Sequence, residues 1–246
     1  MQLRNNKQSK IYSLEVHMKI KLGVIGEEHN INIFQEVIAE YDDFEISTFI
    51  DNDETRTLNI IADHQQEVDA WLVFDQINYL RIENQGKAQK PVYYIPYRGA
   101  SFYKTLGTAI YHNYNVDELS IDTIPYCDIT RALNEMQITY TVINHLADEH
   151  ADLPLDSYVA FHRELFKKGI TKAAVTKSFY VKSLLEQDSI PTFCIMPVRV
   201  TVRNILNLIL SHFRIKKLQE CQIAVQVFSF NLLGDKDNFY SVDDLY

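Results

Sequence analysis

The sequence predicts an α/β protein of two Rossmann-like or flavodoxin-like lobes with mainly parallel sheets, followed by a long C-terminal helix. Short apolar runs recur along the chain, and most are followed by a stretch whose apolar residues have helical spacing. Tight two-residue hairpin signals are nearly absent, so successive strands are expected to join through crossovers rather than turns.

The first strand is expected at Lys19–Ile25, where Ile20, Leu22, Val24 and Ile25 form a buried run ending at Gly26. Ile31, Phe34, Ile38 and Tyr41 then share one helix face. Glu45–Ile50 is the second strand, and Asp51, Asn52 and Asp53 are turn and capping residues before a helix through Leu58, Ile61 and Ala62. Ala70–Phe74 and Val92–Ile95 give the third and fourth strands, the latter opened by Pro91 and closed at Pro96. A helical bridge from Phe102 to Tyr114 follows.

The second lobe repeats this order. Its strands are expected at Leu119–Ile124, Thr139–Ile143, Ala173–Thr176 and Thr192–Met196. Asp128 reads as the cap of a helix through Ala132, Leu133 and Met136, and another helix runs from Leu155 to Lys168 until Gly169 stops it. Val181 to Leu185 forms the next one. From Val202 a helix is apolar almost all round through Leu210, then turns basic at His212, Arg214, Lys216 and Lys217. Ile223–Phe230 is strand-like. The expected organisation is an extension over 1–17, lobes over 18–98 and 119–200 joined by a bridge over 99–118, a connector helix over 201–222, and a tail or further element over 223–246. A fresh strand so near Tyr246 leads to the expectation of an effector domain beyond it, with the connector helix as a homodimer contact.

Composition excludes some classes. With 246 residues, of which 46% are hydrophobic, the chain can bury one large or two modest cores. A formal charge of −9 argues against direct nucleic-acid binding by this segment, since phosphate contacts need a basic face. No long uncharged apolar run is present, so no membrane span is expected. Cys127, Cys194 and Cys221 are odd in number and lack metal-ligand spacing, and read as reduced, mostly buried thiols of a cytoplasmic protein. Tyr93, Tyr94, Tyr97, Tyr103, Tyr111 and Tyr114 crowd one quarter of the chain, as half-buried strand and helix residues or as the lining of a pocket or interface.

Familiar chemical motifs fail on inspection. Gly23 and Gly26 follow a strand, but the third glycine of a dinucleotide fingerprint is missing and Glu27 and Glu28 would repel a pyrophosphate. His145 and His150 flank Asp148 and Glu149 at a spacing that fits no metal site, and Ser178 lacks the glycines of a nucleophile elbow. No cofactor or metal is therefore expected. Folds of this kind place ligands at the carboxyl ends of strands, which singles out Asp75, Arg98, Tyr126, Asp128, Thr176, Lys177, Ser178 and Arg199 as candidate ligand-binding residues. Thr176, Lys177 and Ser178 lead into a helix, where backbone N–H groups, a hydroxyl and an ammonium could hold an acid.

The run from Asp122 through Pro125, Tyr126, Asp128, Arg131 and Leu133 resembles the strand, turn and helix of the ligand-sensing amino-terminal domain of propionate-catabolism-type transcription activators. Phe161 to Pro191 is similar in order to the closing half of that domain, and the shared order covers about Lys19 to Leu210. Where the family has an Arg-Gly-Gly turn after its third strand, this chain has Asp75-Gln76-Ile77, and Thr176-Lys177-Ser178 replaces the family's paired glycines. The resemblance implies a cytosolic sensor module of a regulator, without a catalytic role, and it does not fix the ligand. The expected function is a small-molecule-sensing regulatory module that binds an anionic metabolite in an inter-lobe cleft. The residues also leave open an enzyme acting on a small anionic metabolite through Lys177 and Asp128, and a structural dimerisation module without ligand.

Overall fold

The structure is a computed structural model, and it describes residues 19–52, 56–74, 76–146 and 153–220. The chain divides into two compact units, Met1–Leu210 and Ser211–Tyr246. The first unit holds two four-stranded sheets, both wholly parallel. In the first sheet the strands are β1 (Ile20–Gly26), β2 (Phe44–Ile50), β3 (Ala70–Val73) and β4 (Val92–Tyr94), in the order β2-β1-β3-β4. Helices α1 (Glu28–Ile38), α2 (Thr57–His64) and α3 (Gln76–Gln85) connect them.

The apolar runs become strands because crossover helices cover such sheets on both faces. Leu22 and Val24 of β1 and all four residues of β3 are buried. On the face toward α2 and α3, Trp71 lies in a cluster with Ile25, Ile61, Val73 and Ile82. Gly23 is opposite Trp71 in the ladder, and a Cβ there would lie 2.4 Å from a carbon of the indole ring. The glycine that looked like half of a phosphate loop makes room for a tryptophan.

The second sheet repeats the plan with β5 (Leu119–Ile121), β6 (Asn144–His145), β7 (Ala173–Thr176) and β8 (Thr192–Cys194), in the order β6-β5-β7-β8. Its helices are α5 (Tyr126–Glu135), α6 (Leu155–Lys167) and α7 (Phe179–Gln187). Three of these strands differ from expectation, β8 only by ending at Cys194, two residues early. β5 stops three residues early because Thr123 adopts φ +58° and the Ile124 N–H turns back to the Asp122 carbonyl at 2.7 Å, a strained γ-turn. The sixth strand is not Thr139–Ile143 but the dipeptide Asn144–His145. The carboxylate of Asp117 accepts from the N–H groups of Thr141 and Val142 at 2.8 and 3.0 Å, so that stretch is tied off before it can join the ladder.

Two helices exchange lobes. Helix α4 (Ala100–Tyr111) follows β4 yet packs against β8, and the Tyr103 hydroxyl donates to Glu135 of α5. The bridge expected over 99–118 is thus also a covering layer of the second sheet. Helix α8 (Arg199–Glu220) follows β8 and returns to the first lobe. There Arg203 donates to both carboxylate oxygens of Glu40 at 2.8 and 2.7 Å, and Arg199 Nη2 lies 2.6 Å from Glu36.

Helix α8 is not apolar all round in its surroundings. Val202, Leu206, Ile209 and Leu210 are buried, while Val200 and Leu208 are exposed. Of the second unit, the described residues continue this helix, with Ile215 and Leu218 exposed. The expected extension over 1–17 and the tail over 223–246 lie outside the described residues.

Candidate functional site

The carboxyl ends of both sheets open onto one cavity of about 690 Å³, within the size range of small-molecule sites. The first lobe supplies the end of β1 with Glu27 and Asn30, the end of β2 with Asp51 and Asn52, and Tyr97 beyond β4. From the second lobe come Asp122 and Thr123 after β5, Asp156 and Tyr158 of α6, and Lys177 and Ser178 after β7.

Each side chain is placed by local structure. Asp51 is 1% exposed; its Oδ2 accepts from the Arg56 N–H at 3.1 Å and the Thr57 hydroxyl at 2.7 Å, which fixes the start of α2 as its place before that helix suggested. Asn30 in the first turn of α1 donates to the Tyr97 hydroxyl at 2.8 Å, tying β4 to α1 beneath the cavity. In the tyrosine-rich quarter, Tyr97 is the member that lines the cavity. Tyr93 and Tyr94 are half-buried strand residues, burial raising the Tyr93 pKa above its ordinary range, and Tyr111 is exposed.

Ser178 caps α7 through an acceptor contact from the Val181 N–H at 3.4 Å, and the buried Thr176 hydroxyl accepts from the Ser178 N–H at 3.2 Å. The next free N–H of this helix end, that of Phe179, donates to Glu27 of the other lobe at 3.3 Å. Beside it the rings of His29 and Phe179 lie with centroids 3.8 Å apart. A carboxylate of the chain itself thus holds one of the helix-end N–H groups expected for an external acid, beside Lys177 and Ser178 at the cavity wall. It also helps burial push the nearby Cys194 thiol up to about 12, which leaves that cysteine protonated and unreactive.

Beneath the cavity wall of the second lobe is a buried polar network. His162 of α6 places Nδ1 2.7 Å from the Ser120 hydroxyl and Nε2 3.0 Å from Asp122 Oδ2. The Thr123 hydroxyl donates to Asp122 Oδ1 at 2.8 Å. Ser120, Asp122 and His162 are all at most 1% exposed. Ser120 is sealed under α6, so the trio holds Asp122 in place rather than presenting a nucleophile.

The eight predicted site residues separate into groups. Lys177 and Ser178 line the cavity, and Thr176 supports them from the end of β7. Asp128 does not cap α5; it is the third residue of that helix, pairing with Arg98 at 3.0 Å and Arg131 at 2.9 Å. Proline at 125 takes the cap position, so the carboxylate is released to join the arginines. Arg98 and Asp128 thus tie the start of α4 to α5 and do not line the cavity. Tyr126 is exposed, its ring 5.0 Å from that of His145. Arg199 faces Glu36 of α1. Asp75 lies outside the described residues, as do His150 and Cys221. Cys127 is exposed, against the expectation of burial, because it occupies the outer side of the first turn of α5.

Glu27, Asn30, Asp122, Thr123 and Asp156 were not singled out from the sequence as ligand-binding residues. One signal was available: Ser120 and Asp122, two apart in the run expected as a strand, alternate with Leu119 and Ile121 and so place polar groups on one face.

No family model matches the chain, and no curated protein matches it in sequence. Among solved structures, an NtrC family transcriptional regulator from Clostridium acetobutylicum is 15% identical, with a TM-score of 0.58 over 80% of this chain and 98% of its own. A LacI family transcription regulator from the same organism is 12% identical, with a TM-score of 0.41 over 81% of this chain and 93% of its own. The chain therefore shares the fold of the first of these, two parallel α/β lobes over nearly the whole of that structure. No helix among the described residues is long and apolar enough to cross a membrane.

Proposed function

We propose that the chain is the small-molecule-sensing module of a transcriptional or signalling regulator and that it binds an anionic metabolite in the cleft between its lobes. The observation that carries this reading is the cavity at the carboxyl ends of both sheets, where polar groups from the two lobes converge. A ligand held by both lobes changes their relative stability as one body, which is what a sensor requires. The shared fold with a transcriptional regulator and the resemblance in the Asp122–Leu133 run support the same role. In this proposal the acid group of the ligand lies at Lys177 and Ser178. The competing enzymatic reading relied on Lys177 acting with Asp128, and the cationic partners of Asp128 are Arg98 and Arg131. A homodimer contact along α8, which exposes Val200 and Leu208, belongs to the same proposal, and the sedimentation mass of the full chain tests it.

Thermal-shift screening of the full chain against metabolite pools tests the sensing role, because a ligand selective for the folded state must raise its stability by mass action. A positive shift is expected. Lys177→Ala should then weaken binding of the ligand found by about 1–3 kcal/mol, the range for a hydrogen bond to a charged group. An unchanged affinity would remove Lys177 from the site, and the absence of any shift with every pool would remove the sensing role.

A further inference from the structure

Among the described residues, the cavity wall carries more negative than positive charge. Glu27, Asp51, Asp122 and Asp156 line it, against Lys177 and Arg81. The carboxylates differ in how their oxygens are used. Asp122 has a donor on each oxygen, Glu27 accepts from the Phe179 N–H, and Asp156 accepts from the Tyr180 hydroxyl at 3.3 Å. Asp51 is the exception. Its Oδ2 takes two donors from its own lobe, while Oδ1 is buried and receives no hydrogen bond. The cation beside Oδ1, Arg56 Nε, is 3.8 Å away, beyond hydrogen-bond distance, on a side chain that is 65% exposed.

A carboxylate oxygen withdrawn from water without a donor is costly, and native proteins rarely leave one so. Because Asp51 lines the cavity, the donor it lacks is one a bound molecule can bring. A metal ion is a poor candidate: hard cations collect several oxygens, and among the described residues no three acidic, histidine or cysteine side chains gather to hold one. A bare di- or tricarboxylate adds negative charge to an acidic wall and offers Asp51 no proton. An ammonium group supplies the hydrogen bond and offsets the excess charge together, and a charge-assisted bond is about twice as strong as a neutral one.

We propose that the cleft ligand is a zwitterion, a small amino acid or close relative, whose ammonium donates to Asp51 on the first lobe while its acid group meets Lys177 and Ser178 on the second. This rests on the sensing reading above and narrows its ligand, keeping the acid group but adding an ammonium to the same molecule. The two charges of one small molecule then select for closure of both lobes, since neither lobe alone satisfies both ends.

Calorimetric titration of the full chain with three matched probe sets tests it: individual L-amino acids, the same skeletons lacking the amine, and the corresponding amines lacking the carboxylate. At least one amino acid is expected to bind, with both truncated analogues at least tenfold weaker. Asp51→Asn should weaken the amino acid at least tenfold and leave its deaminated analogue unchanged. A deaminated acid that binds as tightly as its parent would overturn the proposal, and the analogue pair reads this contact on the unaltered protein even if Asp51→Asn fails to fold. Binding only of simple polycarboxylates or sugars would overturn the zwitterion and leave the sensing reading standing. If these probes and the metabolite pools all fail to bind, both fall.

Discussion

At the step where Gly23 of β1 faces Trp71 of β3, the first sheet is filled by an indole; at the corresponding step of the second sheet, Ser120 of β5 faces Ala174 of β7. Two residues further along each strand, on the same face, Ile25 and Val73 correspond to Asp122 and Thr176. A large side chain on β3 demands a glycine beside it, and the small alanine on β7 leaves room for His162 to reach down from α6 and bond Ser120 and Asp122. Two sheets of the same strand order thus solve the same packing problem with opposite chemistry. The first is dry and depends on shape. The second depends on the hydrogen bonds of the Ser120, Asp122 and His162 network, which also fix the Asp122 carboxylate at the cavity.

Breaking the polar solution should have the largest effect. His162→Leu leaves Asp122 and Ser120 buried without their partner and should cost about 3–5 kcal/mol in urea unfolding, as removal of one member of a buried charged network does. The triple change Ser120→Ala, Asp122→Leu, His162→Leu should recover most of that loss, because a well-packed apolar replacement is often neutral. If the triple variant is no better than the single one, the network is not the analogue of the tryptophan.

Gly23→Ala tests the shape-dependent lobe. The new methyl would overlap a fully buried indole, so a loss of about 1–3 kcal/mol by denaturant titration is expected. Adding Trp71→Phe should relieve the overlap, whereas the same pair of changes would be neutral if the ring had freedom to move.

Smaller effects lie where the lobes meet their helices. Ser178→Ala removes the cap from α7 and should cost about 1 kcal/mol, measured the same way, with or without ligand. The exposed Arg203 guanidinium beside Glu40 holds that carboxyl below its ordinary value of 4.5. A lowered folded-state value means that the pair favours the folded state fully above that ordinary value and loses its contribution as pH falls through the lowered one. Acid titration of folding should therefore show a shallower decline below pH 4.5 in Arg203→Ala than in the parent. An identical slope would remove Arg203 as the cause.

The strand-helix alternation was legible because a parallel sheet covered on both faces leaves continuous apolar runs that little else produces. The ends were less so. Leu119–Ile124 is apolar enough to continue as a strand, and only the γ-turn at Thr123 stops it. The lure of Asp128 as a helix cap failed because a carboxylate three residues past the cap can serve two arginines instead. Lys177 and Ser178 were found by the strand-end rule, which depends only on topology. Asp122 and Glu27 were not, since their roles arise from His162 and Phe179, distant in sequence and joined to them only by the fold.

The exchange of α4 and α8 between lobes has a mechanical meaning. The chain crosses from one lobe to the other at residues 95–99 and again at 195–198, each crossing leaving the carboxyl end of an edge strand. Two bodies tethered at a single point can swivel in any direction. Tethered at two, they keep one easy rotation, about the line through both crossings, like a book on its spine. The cavity lies on the side toward which those strands point, so this rotation is the one that changes its width, and a molecule gripped by both pages, as proposed, would set the angle at which the book stays open.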